Sequence, residues 1–440
     1  MFIPRIIFPS MHYLSGVLKG DSMLTEKEKL DKLTMLGIEL NQVKDMDILM
    51  ERVLFDARRF VNADAGSIYI RDADRLNFTY TQNDTFQSRL PEGEKLIYST
   101  FTIPIDTKSI AGYVATTGRL LNLPDVYEIE PTAPYQFSKK FDETSGYTTR
   151  SVFTVPLKTA RGDILGILQI INAQDEAKQS IPFSKNDEKI MLHFASIAAV
   201  ALERAQMTRA ILLRMIRMSE LRDPMETGAH VNRVGGYAVE LYEQWARRQQ
   251  IAPKEIDRAR DSLRMAAMLH DVGKVAISDL ILKKPGRFNH DEFEIMKQHT
   301  VLGARLFLDA QSDFDETAMQ VALTHHERWD GMGYPGYVDV STNAALTGYA
   351  LPDGTPRGKK GEEIPIFGRI VALADVYDAL SSARVYKEAW DESHVLDIIE
   401  KEAGHQFDPE IVEIFFASLN VLRFIQERYQ EKTESLGSFS

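Results

Sequence analysis

The hydrophobic pattern of this chain changes period once, and that change constrains its fold more than any single motif. Between residues 67 and 173, apolar and β-branched residues gather in short runs at 67–71, 77–82, 101–106, 151–158 and 164–173. Turn-forming stretches such as Asp72-Ala73-Asp74 and Pro91-Glu92-Gly93 bound them, and Thr159-Ala160-Arg161-Gly162-Asp163 joins the last two as a hairpin. A helix precedes the strands over 26–40, with Leu30, Leu33, Leu36 and Leu40 at helical spacing. From residue 184 the pattern turns helical. Helices are predicted over 184–222, 228–249, 253–270, 291–309, 313–326, 367–380 and 391–402, with no convincing strand beyond 222. A Gly/Pro/Thr-rich stretch over 331–363 has no clear period, and loops of that length are usually functional or disordered. The chain is therefore expected to be multidomain. An α+β domain over 26–183 leads into a connecting helix over 184–218 and an all-α helical bundle over 219–432. Residues 1–25 are read as an N-terminal extension and 433–440 as a C-terminal tail.

Composition narrows the function. At 440 residues the chain exceeds one ordinary domain, and 44% hydrophobic with 26% charged residues is enough for real cores. A complete lack of cysteine excludes disulfides, thiolate metal sites and cysteine nucleophiles. No apolar run approaches the roughly 18 residues that span a bilayer, so no membrane span and a cytoplasmic location are expected. A net charge of −12 argues against a duplex nucleic-acid partner. In the connecting helix Ser184 is a plausible N-cap, with Asp187 and Glu188 in the first turn. Ile190, Phe194, Ile197, Ala201, Thr208, Leu212 and Met215 fall near a four-three alternation, with Ala198, Ala201 and Ala205 small enough for close helix approach. Either this helix pairs with its twin in a homodimer, or it packs on its own domain.

Histidine points to the chemistry. Of ten histidines, only His12 and His193 precede residue 230. Downstream, Glu226 and His230 stand four apart, on one face if helical. His270-Asp271 follows, with Lys274 close behind, then His299, the doublet His325-His326, and Asp375. Each alone is weak. Together they gather imidazole and carboxylate on successive helices of one domain, a donor set suited to iron, manganese, zinc or nickel. Burying so many ionisable groups without cations would be costly, which makes a metal centre the natural reading.

Two resemblances follow from these strings. Ser145-Gly146-Tyr147-Thr148-Thr149-Arg150-Ser151, Val155-Pro156-Leu157, the run from Gly166 to Asn172, then Phe183 and Asp187-Glu188 resemble a GAF domain. That resemblance implies either a small-molecule or cyclic-nucleotide sensor or a dimerisation scaffold without a ligand. Ala173 departs from the lysine of the cyclic-nucleotide-binding signature. Over about 219–430, His270-Asp271, Lys274, the string His326-Glu327-Arg328-Trp329-Asp330-Gly331-Met332-Gly333-Tyr334-Pro335, and Ala374-Asp375-Val376-Tyr377-Asp378 with Arg384 and Tyr386-Lys387 closely resemble the HD-GYP family.

The HD-GYP resemblance implies hydrolysis of a cyclic dinucleotide. The substrate would be cyclic di-GMP, opened to pGpG or on to GMP, or the mixed cyclic GMP–AMP. It implies two or three divalent metals, iron or manganese foremost, held by His230, His270, Asp271, His299, His325, His326 and Asp375. Asp271 would bridge two of them, and Glu226 points to a third. Asp271 and Lys274 would serve catalysis, and Tyr334, Arg384 and Lys387 would contact substrate. Two departures stand out: an insertion of about 20 residues near 337–356, and Val385 in place of a common proline. A catalytically silent cyclic-dinucleotide receptor and a mononucleotide phosphohydrolase are the competing readings.

Overall fold

The computed structural model describes residues 26–90, 101–220, 222, 227–382 and 390–429. Two compact units divide near residue 209, and each is described by itself.

The first unit is built on an antiparallel sheet of β1 (Ala63–Asp72), β2 (Arg75–Asn83), β3 (Phe101–Pro104), β4 (Leu121–Leu123), β5 (Val152–Lys158), β6 (Ile164–Gln174) and β7 (Ser180–Ile181). Its order is β3-β2-β1-β6-β5-β4, with β7 on β6. Side chains alternate across a pleated strand. Accordingly Ile68 and Ile70 of β1, with Leu168 and Ile170 of β6, join one core, while Tyr69 and Ile167 face the other. Helix Met46–Phe60 covers the first face through Leu49, Met50, Val53, Leu54 and Ala57. Helix Ile110–Thr117 covers the second through Ala111 and Val114. The expected strands are all present, and β4 and β7 are additions.

The long helix runs Lys185–Glu220. Asp187 N–H donates to Ser184 Oγ, and Ser184 N–H to the Asp187 carboxylate, a reciprocal cap at the expected start. Its heptad reading needs correction. Ile190, Phe194, Ala198, Ala201 and Ala205 pack into the first unit's own core, so these positions are not a dimer seam. The stripe this leaves exposed is Leu192, Val200, Met207, Ile211 and Met218.

The second unit is helical among its described residues. Its main helices are Gly228–Arg248, Pro253–Met268, His290–Lys297, His299–Arg305, Asp313–Thr324, Ile366–Ser381, Glu392–Lys401, Pro409–Ala417 and Leu419–Arg428. The run expected as one helix over 291–309 is two, broken at Gln298. Fully buried Tyr377 meets Tyr237 and Phe415 edge-on, with ring centroids 5.2 and 4.9 Å apart. Such pairs contribute about 0.5–1.5 kcal/mol each beyond burial. They fix the Ile366–Ser381 helix, and with it the flanking Asp375 and Asp378. No helix among the described residues is long and apolar enough to cross a membrane.

Candidate metal centre

The chemistry-bearing residues sit where helices begin and end. His230 lies in the first turn of Gly228–Arg248, where Thr227 caps the helix by accepting from the His230 N–H at 3.2 Å. His270 and Asp271 follow the end of Pro253–Met268, and His325 and His326 the end of Asp313–Thr324. His299 opens its own short helix just past the Gln298 break. The turn after Asp271 lies backbone-to-backbone on that helix. A Cβ on Gly273 would stand 1.9 Å from the His299 carbonyl oxygen, so only glycine fits.

These pieces close into two donor groups, each with ligand atoms within 4.8 Å of one another. One comprises Asp271, His299, His325 and His326; the other His230, His270 and Asp375. Asp271 stands between them. Its Oδ1 is 3.1 Å from His299 Nε2 and 3.5 Å from His325 Nε2, while its Oδ2 is 3.3 Å from His270 Nε2. Asp375 Oδ1 lies 3.6 and 3.8 Å from the Nε2 atoms of His230 and His270.

The donor set fits divalent cations, and the tautomers show why. Nδ1 of His270 meets the Ala267 carbonyl at 2.7 Å, and Nδ1 of His299 the Met296 carbonyl at 2.7 Å. Nδ1 of His325 meets the Ala322 carbonyl at 3.0 Å, and Nδ1 of His230 the Asp378 carboxylate at 2.8 Å. A carbonyl oxygen only accepts, so these nitrogens carry the proton and each Nε2 presents a lone pair inward. His299 Nε2 and His325 Nε2 are 3.4 Å apart. Two lone pairs at that distance repel unless a cation lies between them. Asp271 Oδ1 is buried beside them and receives no hydrogen bond of ordinary geometry.

Titration agrees. Burial, then the neighbouring imidazoles, hold His326 well below its usual range. Burial likewise lowers His325, so both stay neutral and available as ligands. Burial would raise the Asp271 carboxyl, but the Lys274 ammonium, 2.7 Å from its Oδ2, and His270 hold it far down and ionised. Tyr334 packs its ring 4.9 Å from His326 and 6.4 Å from His299. Burial and the Asp271 charge push its phenol up, so it keeps its proton and can donate a hydrogen bond.

Of the residues singled out from sequence, His230, His270, Asp271, Lys274, His299, His325, His326, Tyr334 and Asp375 meet in this one region. Glu226, Arg384 and Lys387 lie outside the described residues. Two contributors were missed. Asp378 orients His230 and is itself forked by Arg233, at 2.6 Å from Nε and 2.9 Å from Nη2. Its signal was the i,i+3 spacing from Asp375 on one helix face. Glu327, directly after the histidine doublet, is buried and accepts the Gly336 and Lys359 amides.

Residues 45–202 match the GAF domain family, and 227–380 match the HD domain family, with a second HD domain match over 352–411. A cyclic di-GMP phosphodiesterase of Vibrio cholerae is 40% identical over 211 residues, covering 47% of this chain and 38% of the relative. A cyclic di-GMP phosphodiesterase of Thermotoga maritima is 37% identical over 218 residues, covering 50% and 51%. A 3'3'-cGAMP-specific phosphodiesterase of Vibrio cholerae is 37% identical over 189 residues, covering 43% and 31%. The chain thus spans about half or less of the length of these relatives.

Proposed function

Because the chain carries a GAF domain followed by an HD domain, we propose that its helical unit is a divalent-metal-dependent phosphodiesterase that opens a cyclic dinucleotide. The observation that carries this reading is the pair of donor groups on either side of Asp271, with Lys274 and Tyr334 beside them. His230, His270 and Asp375 would hold one cation, and His299, His325 and His326 a second. Asp271, which stands between the two groups, would help to hold both. Iron or manganese is the proposed metal, and Glu226 the proposed ligand of a third ion. Bound cations would supply positive charge for the phosphate oxygens and make water acidic enough to attack near neutral pH.

The chain's own residues do the rest. Lys274 faces Asp271 Oδ2, the oxygen on the His270 side, where it would draw in phosphate oxygens and hand a proton to the departing 3′ oxygen as water adds to phosphorus. Protonated Tyr334 would donate to the substrate or stack on a base. Arg384 and Lys387 are proposed for the second phosphate or a guanine edge. Cyclic di-GMP is the proposed substrate, with pGpG or GMP as product, and the mixed cyclic GMP–AMP is the alternative. The curated relatives include phosphodiesterases named for each dinucleotide, which supports the class.

The proposal extends to organisation. Residues 26–183 would sense a small molecule, 184–218 would connect, and 219–432 would catalyse, in the cytoplasm where such messengers act. Homodimerisation would use the exposed stripe Val200, Met207, Ile211 and Met218, whose steps of seven, four and seven keep it on one helix face. The test is incubation of the metal-loaded full chain with each dinucleotide and chromatographic separation of linear products. Turnover of either supports the enzyme. Tight binding of both without turnover points instead to a receptor.

A further inference from the structure

The insertion near 337–356 is a folded excursion. Tyr337 N–H donates to the Arg357 carbonyl at 3.0 Å, Leu346 N–H to the Tyr337 carbonyl at 2.8 Å, and Arg357 N–H to the Tyr349 carbonyl at 2.8 Å. The Tyr337 and Tyr349 rings stack, with centroids 3.9 Å apart and planes 16° from parallel. The Lys359 ammonium sits 3.6 Å from the Tyr337 centroid. Arg357 lies beside both rings and forks onto Glu363 at 2.9 and 3.0 Å. From outside, Arg305 Nε donates to the Val340 carbonyl at 2.6 Å. The Tyr337 and Tyr349 rings thus pack on each other and on Arg357 and Lys359, and the excursion joins the site through its attachment.

That attachment is Glu327. One of its oxygens accepts the Gly336 N–H at 2.6 Å and the other the Lys359 N–H at 3.1 Å, so one carboxylate receives an amide from each end of the excursion. Glu327 is 3% exposed and directly follows the histidine doublet. Tyr334 N–H donates to the His326 carbonyl at 3.2 Å, so the segment carrying the tyrosine folds back on the doublet itself. The closing limb leaves no slack, because a Cβ on Gly336 would stand 2.3 Å from the Arg357 carbonyl oxygen, at a φ of +80°. Meanwhile the Nδ1 anchors of His230, His270, His299 and His325 all lie on residues outside the excursion.

We infer that Glu327 is a positioning residue, clasping both ends of the 337–357 excursion so that it braces Tyr334 against the His299–His326 face and sets how tightly a cyclic dinucleotide is held. The inference rests on the phosphodiesterase reading for its substrate, but not for its geometry. Opening the clasp should loosen Tyr334 while sparing the metal ligands, and so weaken substrate binding more than turnover.

The test uses the full chain loaded with manganese and two variants. Glu327→Gln removes one acceptor at constant size, and Gly336→Ala disturbs the same clasp from the amide side without touching the carboxylate. Three quantities are measured: bound manganese, KM and kcat for the dinucleotide the parent hydrolyses, and the rate of trypsin cleavage after Arg357, Lys359 and Lys360. The expected result is parental metal content, cleavage about tenfold faster, and KM raised about tenfold with kcat within about threefold. Unchanged KM and unchanged cleavage in either folded variant would overturn the inference. So would loss of manganese at unchanged KM, which would make Glu327 a support for the histidines alone. If the parent hydrolyses neither dinucleotide, the phosphodiesterase reading fails, and the cleavage rates still decide whether the clasp exists.

Discussion

In the sheet unit, Asp64 commits both carboxylate oxygens to the protein. Oδ1 accepts from the Thr85 amide and hydroxyl, and Oδ2 from the Tyr147 hydroxyl at 2.7 Å. Tyr147 in turn accepts from Asn172, whose own oxygen accepts the Arg150 amide. In the helical unit, Asp271 is equally buried and its Oδ2 meets the Lys274 ammonium, yet its Oδ1 faces imidazole nitrogens that present lone pairs rather than hydrogens. The first network closes on itself and holds a fold together. The second is complete only with cations in it. The two show that burial of polar groups is uninformative until each hydrogen has been assigned. They also bear on the GAF signature, because Asn172 and Asp187 are both engaged in intradomain hydrogen bonds.

This contrast can be broken in several ways. The largest effect is expected from replacing His270 and Asp271 with alanine. Turnover should fall at least about 100-fold and metal content should drop, because a ligand of each group is lost. Circular dichroism and proteolysis should show the sheet unit intact. Next comes Asp378→Asn, which keeps size but weakens the acceptor that orients His230. Metal affinity should fall roughly 10- to 100-fold, read by competition with a chelating dye. Tyr147→Phe should act in the opposite place. Loss of the hydroxyl between Asp64 and Asn172 should destabilise the sheet unit by about 1–3 kcal/mol in denaturant, leaving metal content unchanged.

The smallest effect concerns pH. Burial holds His325 and His326 below the ordinary histidine range, about 6.5, in the fold, and they recover it on unfolding. Below about that pH the unfolded chain therefore binds more protons, and metal-free protein loses stability as pH falls. A His325→Gln/His326→Gln variant should lack this contribution. The melting temperature of the parent should thus fall relative to the variant between pH 7 and pH 5, and parallel curves would contradict the assignment.

Much of this was legible in sequence because its signals are local. Strand alternation marked β1, β2, β5 and β6, and histidine is rare enough in this chain for its clustering to stand out. Helix Met46–Phe60 was not assigned, although Asp45 caps it and Leu49, Val53 and Leu54 repeat at helical spacing. The break at Gln298 carries no glycine or proline, so nothing local announced that His299 would open a new helix. The small residues Ala198, Ala201 and Ala205 suited a partner helix and a sheet alike, and only packing decided between them. Asp378 and Glu327 act through residues distant in sequence, His230 and Lys359, a pairing that only the tertiary fold creates.

The most direct test of the account is hydrolysis of cyclic di-GMP by the full chain before chelation, after removal of metal, and after return of ferrous iron or manganese. The account predicts turnover that disappears with the metal and returns with it. Turnover that survives complete removal of metal, or none from fully loaded protein with either cyclic dinucleotide, would contradict it.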